Sequence, residues 1–114
     1  MMLSVGLARP ARGSDGPPPT PPAPLLDTVT GSYLAFSTRK LRSAYSGPAL
    51  TLRRDSDNAT LNIGFDASGN LDTAAVVAHL GAASGYVSRW YDQSGNAYDF
   101  GNSTAATQPR LLLG

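Results

Sequence analysis

Two short alternating runs separated by a turn constrain this chain more than any other feature. Leu50-Thr51-Leu52-Arg53-Arg54 and Thr60-Leu61-Asn62-Ile63-Gly64-Phe65 place apolar residues at every second position, the strand period. Between them Asp55-Ser56-Asp57-Asn58-Ala59 supplies side chains that bond their own backbone and reverse the chain. The pair predicts an antiparallel β-hairpin. A third strand is expected over Gly85–Tyr91, where β-branched and aromatic residues gather and lead directly into the turn Asp92-Gln93-Ser94-Gly95-Asn96. Pro109 to Leu113 reads as the start of a further strand.

Two helices are expected among these strands. Leu34, Phe36, Leu41, Ala44 and Tyr45 lie among Arg39, Lys40 and Arg42, with Ser37 or Thr38 as N-cap and Gly47-Pro48 as stop, predicting a helix of two to three turns. The run Ala74-Ala75-Val76-Val77-Ala78-His79-Leu80 predicts another, capped by Asp72, ended by Gly81, and presenting Ala75, Val76 and Leu80 to the core. The fold class that follows is mainly β with two short helices, an α+β arrangement.

Ahead of this body, Gly13 to Pro24 is dominated by proline, glycine and serine, which favour polyproline II over a packed core. Residues 1–24 therefore read as a disordered arm and 25–114 as one domain. Met1–Leu7 is only mildly apolar and is soon interrupted by Arg9, Pro10 and Arg12, so no signal peptide is expected. No run approaches the roughly 20 apolar residues of a membrane helix, and no membrane partner is expected. The formal charge of +1 argues against a nucleic-acid partner, which requires clustered cations on one face. Arg53 and Arg54 are followed at once by Asp55 and Asp57, which predicts local ion pairs.

Cysteine is absent, which removes disulfides, thiolate metal sites and a cysteine nucleophile. All eight acidic residues are aspartates. Asp66, Ser68, Asn70 and Asp72 alternate like the oxygen ligands of a calcium loop, but no bidentate glutamate closes the set and Asp72 serves better as a helix cap. No metal and no cofactor are expected. His79, the single histidine, has no serine or cysteine motif beside it and reads as a packed or surface residue. Asp92 follows an aromatic strand in a tight turn, where it can bind a sugar hydroxyl or, in an Asx-turn, accept the N–H groups of Ser94 and Gly95. Trp90 and Tyr91 point to opposite strand faces, one toward the core and one free to stack on a sugar ring. Trp90, Tyr91 and Asp92 are thus the candidate carbohydrate-binding residues, and no residue is assigned a catalytic role.

The ordered blocks S-G-P (46–48), R-R-D-S-D-N-A-T (53–60), W-Y-D-Q-S-G-N (90–96) and T-Q-P (107–109) resemble the N-terminal part of the α-L-arabinofuranosidase B catalytic domain, glycoside hydrolase family 54. Similar segments occur in phage and prophage tail-associated proteins. The resemblance implies a concanavalin-like, jelly-roll β-sandwich and hydrolysis of terminal α-L-arabinofuranosyl groups with retention. It also implies an arabinose-containing polysaccharide as partner. Retention requires a carboxylate nucleophile and a carboxylic acid about 5 Å apart. In that family these are a glutamate and an aspartate beyond the matching blocks, and the family's adjacent-cysteine disulfide has no counterpart here. The chain therefore reads as a truncated portion of such a domain, inactive alone, with missing sandwich strands as partners. The alternative is a phage tail or virion module that touches host surface glycans.

Overall fold

The computed structural model describes residues 22–113. Most of the arm expected over 1–24 lies outside them. The described chain runs through helix α1 (Leu25–Thr28), strands β1 (Leu50–Arg54) and β2 (Thr60–Ile63), helix α2 (Thr73–Leu80), strand β3 (Gly85–Trp90), and short strands β4 (Phe100–Gly101) and β5 (Arg110–Leu111). A mainly antiparallel sheet with two helices is the fold class the sequence predicts.

The sheet has the order β2-β1-β3-β4, with β5 also on β3. The predicted hairpin forms in register, Leu50 opposite Ile63 and Leu52 opposite Leu61. Asn58 adopts φ +62° in its turn, a left-handed conformation that asparagine tolerates better than most residues. β3 pairs antiparallel with β1 through a register shift, so that Val87 faces Leu52 while Trp90 faces Leu50. The shift leaves Ser88 as the extra residue of a β-bulge, which returns Trp90 to the core face and sends Arg89 to the other. β4 and β5 divide one edge of β3, β4 pairing with Arg89–Trp90 and β5 with Gly85–Tyr86.

One face of this sheet holds the core, formed by Ala49, Leu50, Leu52, Ile63, Leu71, Val76 and Val87, with Ala75, Leu80 and Trp90 packed around it. α2 closes it against β1 and β2. Its boundaries follow the sequence: the Asp72 carboxylate accepts the Ala75 N–H at 3.1 Å, and Gly81, at φ +57°, ends the last turn. Val76 is the fully buried residue, flanked by Ala75 and Leu80 as the helical spacing predicts.

The helix expected over 34–45 does not form. That segment is extended and irregular, tied to the body by an isolated bridge between Arg39 and Asn70, and the single turn of α1 lies upstream of it. Its backbone groups are taken by side chains from after β3, described below, which leaves no i to i−4 ladder to build. No helix among the described residues is long and apolar enough to cross a membrane.

Two substitutions should separate core from cap. Leu50→Ala, at a site with no exposure, is expected to lower unfolding free energy by about 2–5 kcal/mol. Asp72→Ala should cost about 1 kcal/mol. Urea unfolding monitored by Trp90 fluorescence measures both, and equal effects would contradict the placement of the core.

Candidate functional site

The residues after β3 bury four polar side chains where a small domain normally buries apolar ones: Asp92, Gln93, Ser94 and, further along, Gln108. Burial without partners would cost several kcal/mol for each group, so partners must exist. For the first three they are found across the whole segment from Ser32 to Arg42. Asp92 Oδ1 accepts the N–H groups of Ala35 and Ser94, both at 2.9 Å, and Oδ2 accepts from Ser94 Oγ at 2.8 Å and Tyr98 N–H at 3.1 Å. The Gln93 carboxamide accepts the Leu41 N–H at 2.7 Å and donates to the carbonyls of Arg39 and Ser37. Asn96 Nδ2 donates to the Tyr33 carbonyl, and Ser94 Oγ lies 3.0 Å from the same oxygen, its single proton shared between that carbonyl and Asp92 Oδ2. Arg42 answers from the other side, donating to the carbonyls of Gln93 and Ser94. The segment 32–42 and the turn 92–96 are thus clamped into one interlocked unit.

Burial pushes the Asp92 carboxyl up, but the hydrogen bonds from Ser94, Ala35 and Tyr98 outweigh it and hold the group below the ordinary aspartate value. The loop beyond closes on the same residue, since Asp99 accepts the Asp92 N–H at 2.9 Å. Closure requires Ala97 at φ +59°, a left-handed conformation that alanine adopts only at a cost of about 1–2 kcal/mol.

The predicted site residues separate. Trp90 is half-buried, packed on the core and lining a groove of about 420 Å³ with Phe36, Ser37 and Phe100. That groove continues past Phe36 and Phe100 into a second, of about 380 Å³, with Tyr33 and Tyr98. Tyr33 and Tyr98 meet edge to face at 5.2 Å between centroids, and Tyr33, Phe36, Tyr98 and Phe100 are all exposed. Tyr91 lies on the opposite face of the sheet, its hydroxyl within hydrogen-bond distance of Thr51 and Asn62. Asp92 is 3% exposed, with both oxygens engaged. Its Asx-turn to Ser94 forms as expected, but Tyr98 takes the place expected for Gly95.

The remaining carboxylates are also fastening points. Asp55 accepts from Ser84 N–H, Asp57 from Ala59, Asp66 from Ser68 and Asn70, and Asp27 from Ser43. Every aspartate among the described residues therefore accepts at least one backbone N–H. The alternation from Asp66 to Asp72 resolves into an Asx-type turn followed by a helix cap. Among the described residues no group of three histidine or acidic side chains is placed to hold a metal. The Arg54–Asp57 ion pair forms at 2.7 Å, as predicted, and holds the Asp57 carboxyl well below the usual range. His79 Nε2 lies 3.2 Å from the Ala59 carbonyl, a packed histidine.

Against known proteins, the family described as "Alpha-L-arabinofuranosidase B, catalytic" matches residues 27–110, a span that begins at Asp27 and takes in the whole interlocked unit. The match places the chain in a glycoside hydrolase-like class, a class that acts on carbohydrate. It belongs to the α-L-arabinofuranosidase B catalytic family. No curated protein and no solved structure matches it.

The clamp was only partly legible. Asp92 carried a signal as a turn residue, but Gln93, fully buried, carried none, because its partners lie 52 to 56 residues away. Asp92→Asn would put an amide nitrogen opposite the Tyr98 N–H or a second donor at Ala35 and is expected to destabilise by about 2 kcal/mol. Asp92, Asp57 and Asp27 all have lowered folded-state pKa values. Protons therefore bind the unfolded chain first, so the stability these groups contribute is complete above about pH 5 and is lost as pH falls through their folded values. The thermal midpoint of the wild type should drop below about pH 4, and Asp92→Asn should drop less steeply. Parallel curves would remove Asp92 from this account.

Proposed function

We propose that the described residues form one leaf of a concanavalin-like sandwich in an arabinofuranosidase-like glycoside hydrolase domain, supplying framework and glycan contact and not the acid–nucleophile pair. The observation that carries this reading is the commitment of every described aspartate to a backbone N–H in a chain without glutamate. A retaining glycosidase needs one carboxylate free to attack the anomeric carbon and a second, protonated one about 5 Å from it. A carboxylate that fastens a loop gives up its fold-stabilising bonds if it does either.

Glycan contact falls to the aromatic groove. Trp90, Phe36 and Phe100 offer flat apolar faces, and the apolar face of an arabinofuranosyl ring stacks on such surfaces while its hydroxyls remain wet. Ser37 adds a hydroxyl at the rim. Asp92 then acts through the groove's shape, because it holds Ala35 and with it the neighbouring Phe36.

This chain should release no arabinose from an aryl α-L-arabinofuranoside above a buffer blank; measurable turnover contradicts the framework reading. In affinity gels containing neutral arabinan the wild type should be retarded. Phe100→Ala, at an exposed position, should weaken that retardation by roughly 3- to 10-fold. Unchanged migration of both Phe100→Ala and Trp90→Ala would take sugar binding away from the groove.

A further inference from the structure

The sheet face opposite the core is cationic in a way neither the fold nor the aromatic groove requires. The bulge at Ser88 places Arg89 directly across from Thr51 on this face, and Arg53 lies across from Tyr86. Between them runs a groove of about 510 Å³ whose walls include Arg53, Arg89, Thr51, Ser88, Asn102 and Gln108. The only carboxylate–guanidinium pair among the described residues is Arg54–Asp57, and Arg54 donates to the His79 carbonyl of α2. Arg53 and Arg89 are left without an acidic partner there.

The Arg53 guanidinium is held in place by neutral contacts. Arg53 donates through Nε to Gln108 Oε1 at 2.7 Å and through Nη1 to Asn58 Oδ1 at 2.9 Å, and stacks 5.1 Å from the Tyr86 ring centroid. Gln108 is itself nearly buried and fixed by a 2.7 Å bond to the Asn102 carbonyl. Arg89 is exposed and lies across Gly101, where an added Cβ would come within 3.3 Å of its Cζ and Nη2. A glycine at that point lets the guanidinium lie flat on the β4 backbone. At Arg53 positive charge fixed by uncharged acceptors is neither neutralised nor free to move, and Arg89 beside it is exposed and open to a ligand, the arrangement that planar, bidentate recognition of a carboxylate exploits.

We propose that this groove binds an acidic glycan, one that carries carboxylates on its sugar rings, with Arg89 and Arg53 pairing the uronate groups and the groove's hydroxyls and amides meeting ring hydroxyls. That the ligand is a sugar rests on the glycoside hydrolase reading; that it is anionic rests on the groove alone. A polynucleotide fits less well. Its affinity comes from neutralising many phosphates along a track, whereas this groove offers two guanidinium groups on a chain of net charge +1.

The test is affinity electrophoresis of the full chain in gels carrying polygalacturonate, its fully methyl-esterified form, or neutral arabinan. Retardation by polygalacturonate and not by the ester is expected, weakened about tenfold by Arg89→Gln. Gly101→Ala, which keeps the charge but displaces the guanidinium, should weaken it in the same direction, while Val77→Ala, exposed on α2, should leave it unchanged. No retardation by polygalacturonate, equal retardation by the ester, or indifference to both Arg89→Gln and Gly101→Ala would each overturn the proposal. Equally tight binding of a single-stranded oligonucleotide would overturn the assignment to a glycan. The arabinan lane reports on the aromatic groove independently, so failure there and failure here are distinguishable.

Discussion

The structure depends on burying Asp92, Gln93 and Ser94 with their hydrogen bonds fully made. These three residues leave β3 at its core-facing end and reach back to a segment more than fifty positions earlier, gripping it by its backbone. An unmade bond in this network would leave a polar group stranded at a cost comparable to a substantial fraction of a small domain's stability. The network is therefore either complete or the segment is released. Because the grip is on backbone atoms, it fixes the path of residues 32–42 with little demand on what their side chains do.

That division explains the aromatic groove. Tyr33, Leu34 and Phe36 are not buried to hold their segment down, since the clamp already does so, and they project outward beside Phe100 and Trp90. Apolar surface of this kind is retained at a cost in solubility, and the proposed sugar contact would give it an occupant. The same logic runs through the aspartates. Each described aspartate spends its charge on a loop or a helix end.

The hairpin, α2 with its cap and stop, and β3 were legible because their signals are local: strand-period alternation at 50–54 and 60–63, an aspartate three residues before a free amide, a glycine where the helix stops. The segment 34–45 was not. Its apolar residues fall at spacings a helix can use, and a propensity argument has no knowledge of acceptors arriving from residues 92–94. Trp90 was legible as an aromatic at a strand end. Its neighbours Phe36 and Phe100 were not, because Phe36 was expected in a helix and Phe100 in no element, and only the clamp and the β3–β4 pairing bring them together. The cationic groove was hidden for a related reason: Arg53 looked like a partner for the aspartates that follow it, and the bulge that turns Arg89 to the same face has no sequence signal of its own.

The most direct test of the clamp is amide hydrogen exchange at Ala35 and Leu41, two residues in a segment without helix or strand. The account predicts strong protection of both in the wild type, with protection at Leu41 lost in Gln93→Ala while Leu52, in the middle of β1, stays protected. Rapid exchange at Ala35 and Leu41 in the wild-type chain, or protection at Leu41 that survives Gln93→Ala, would contradict it.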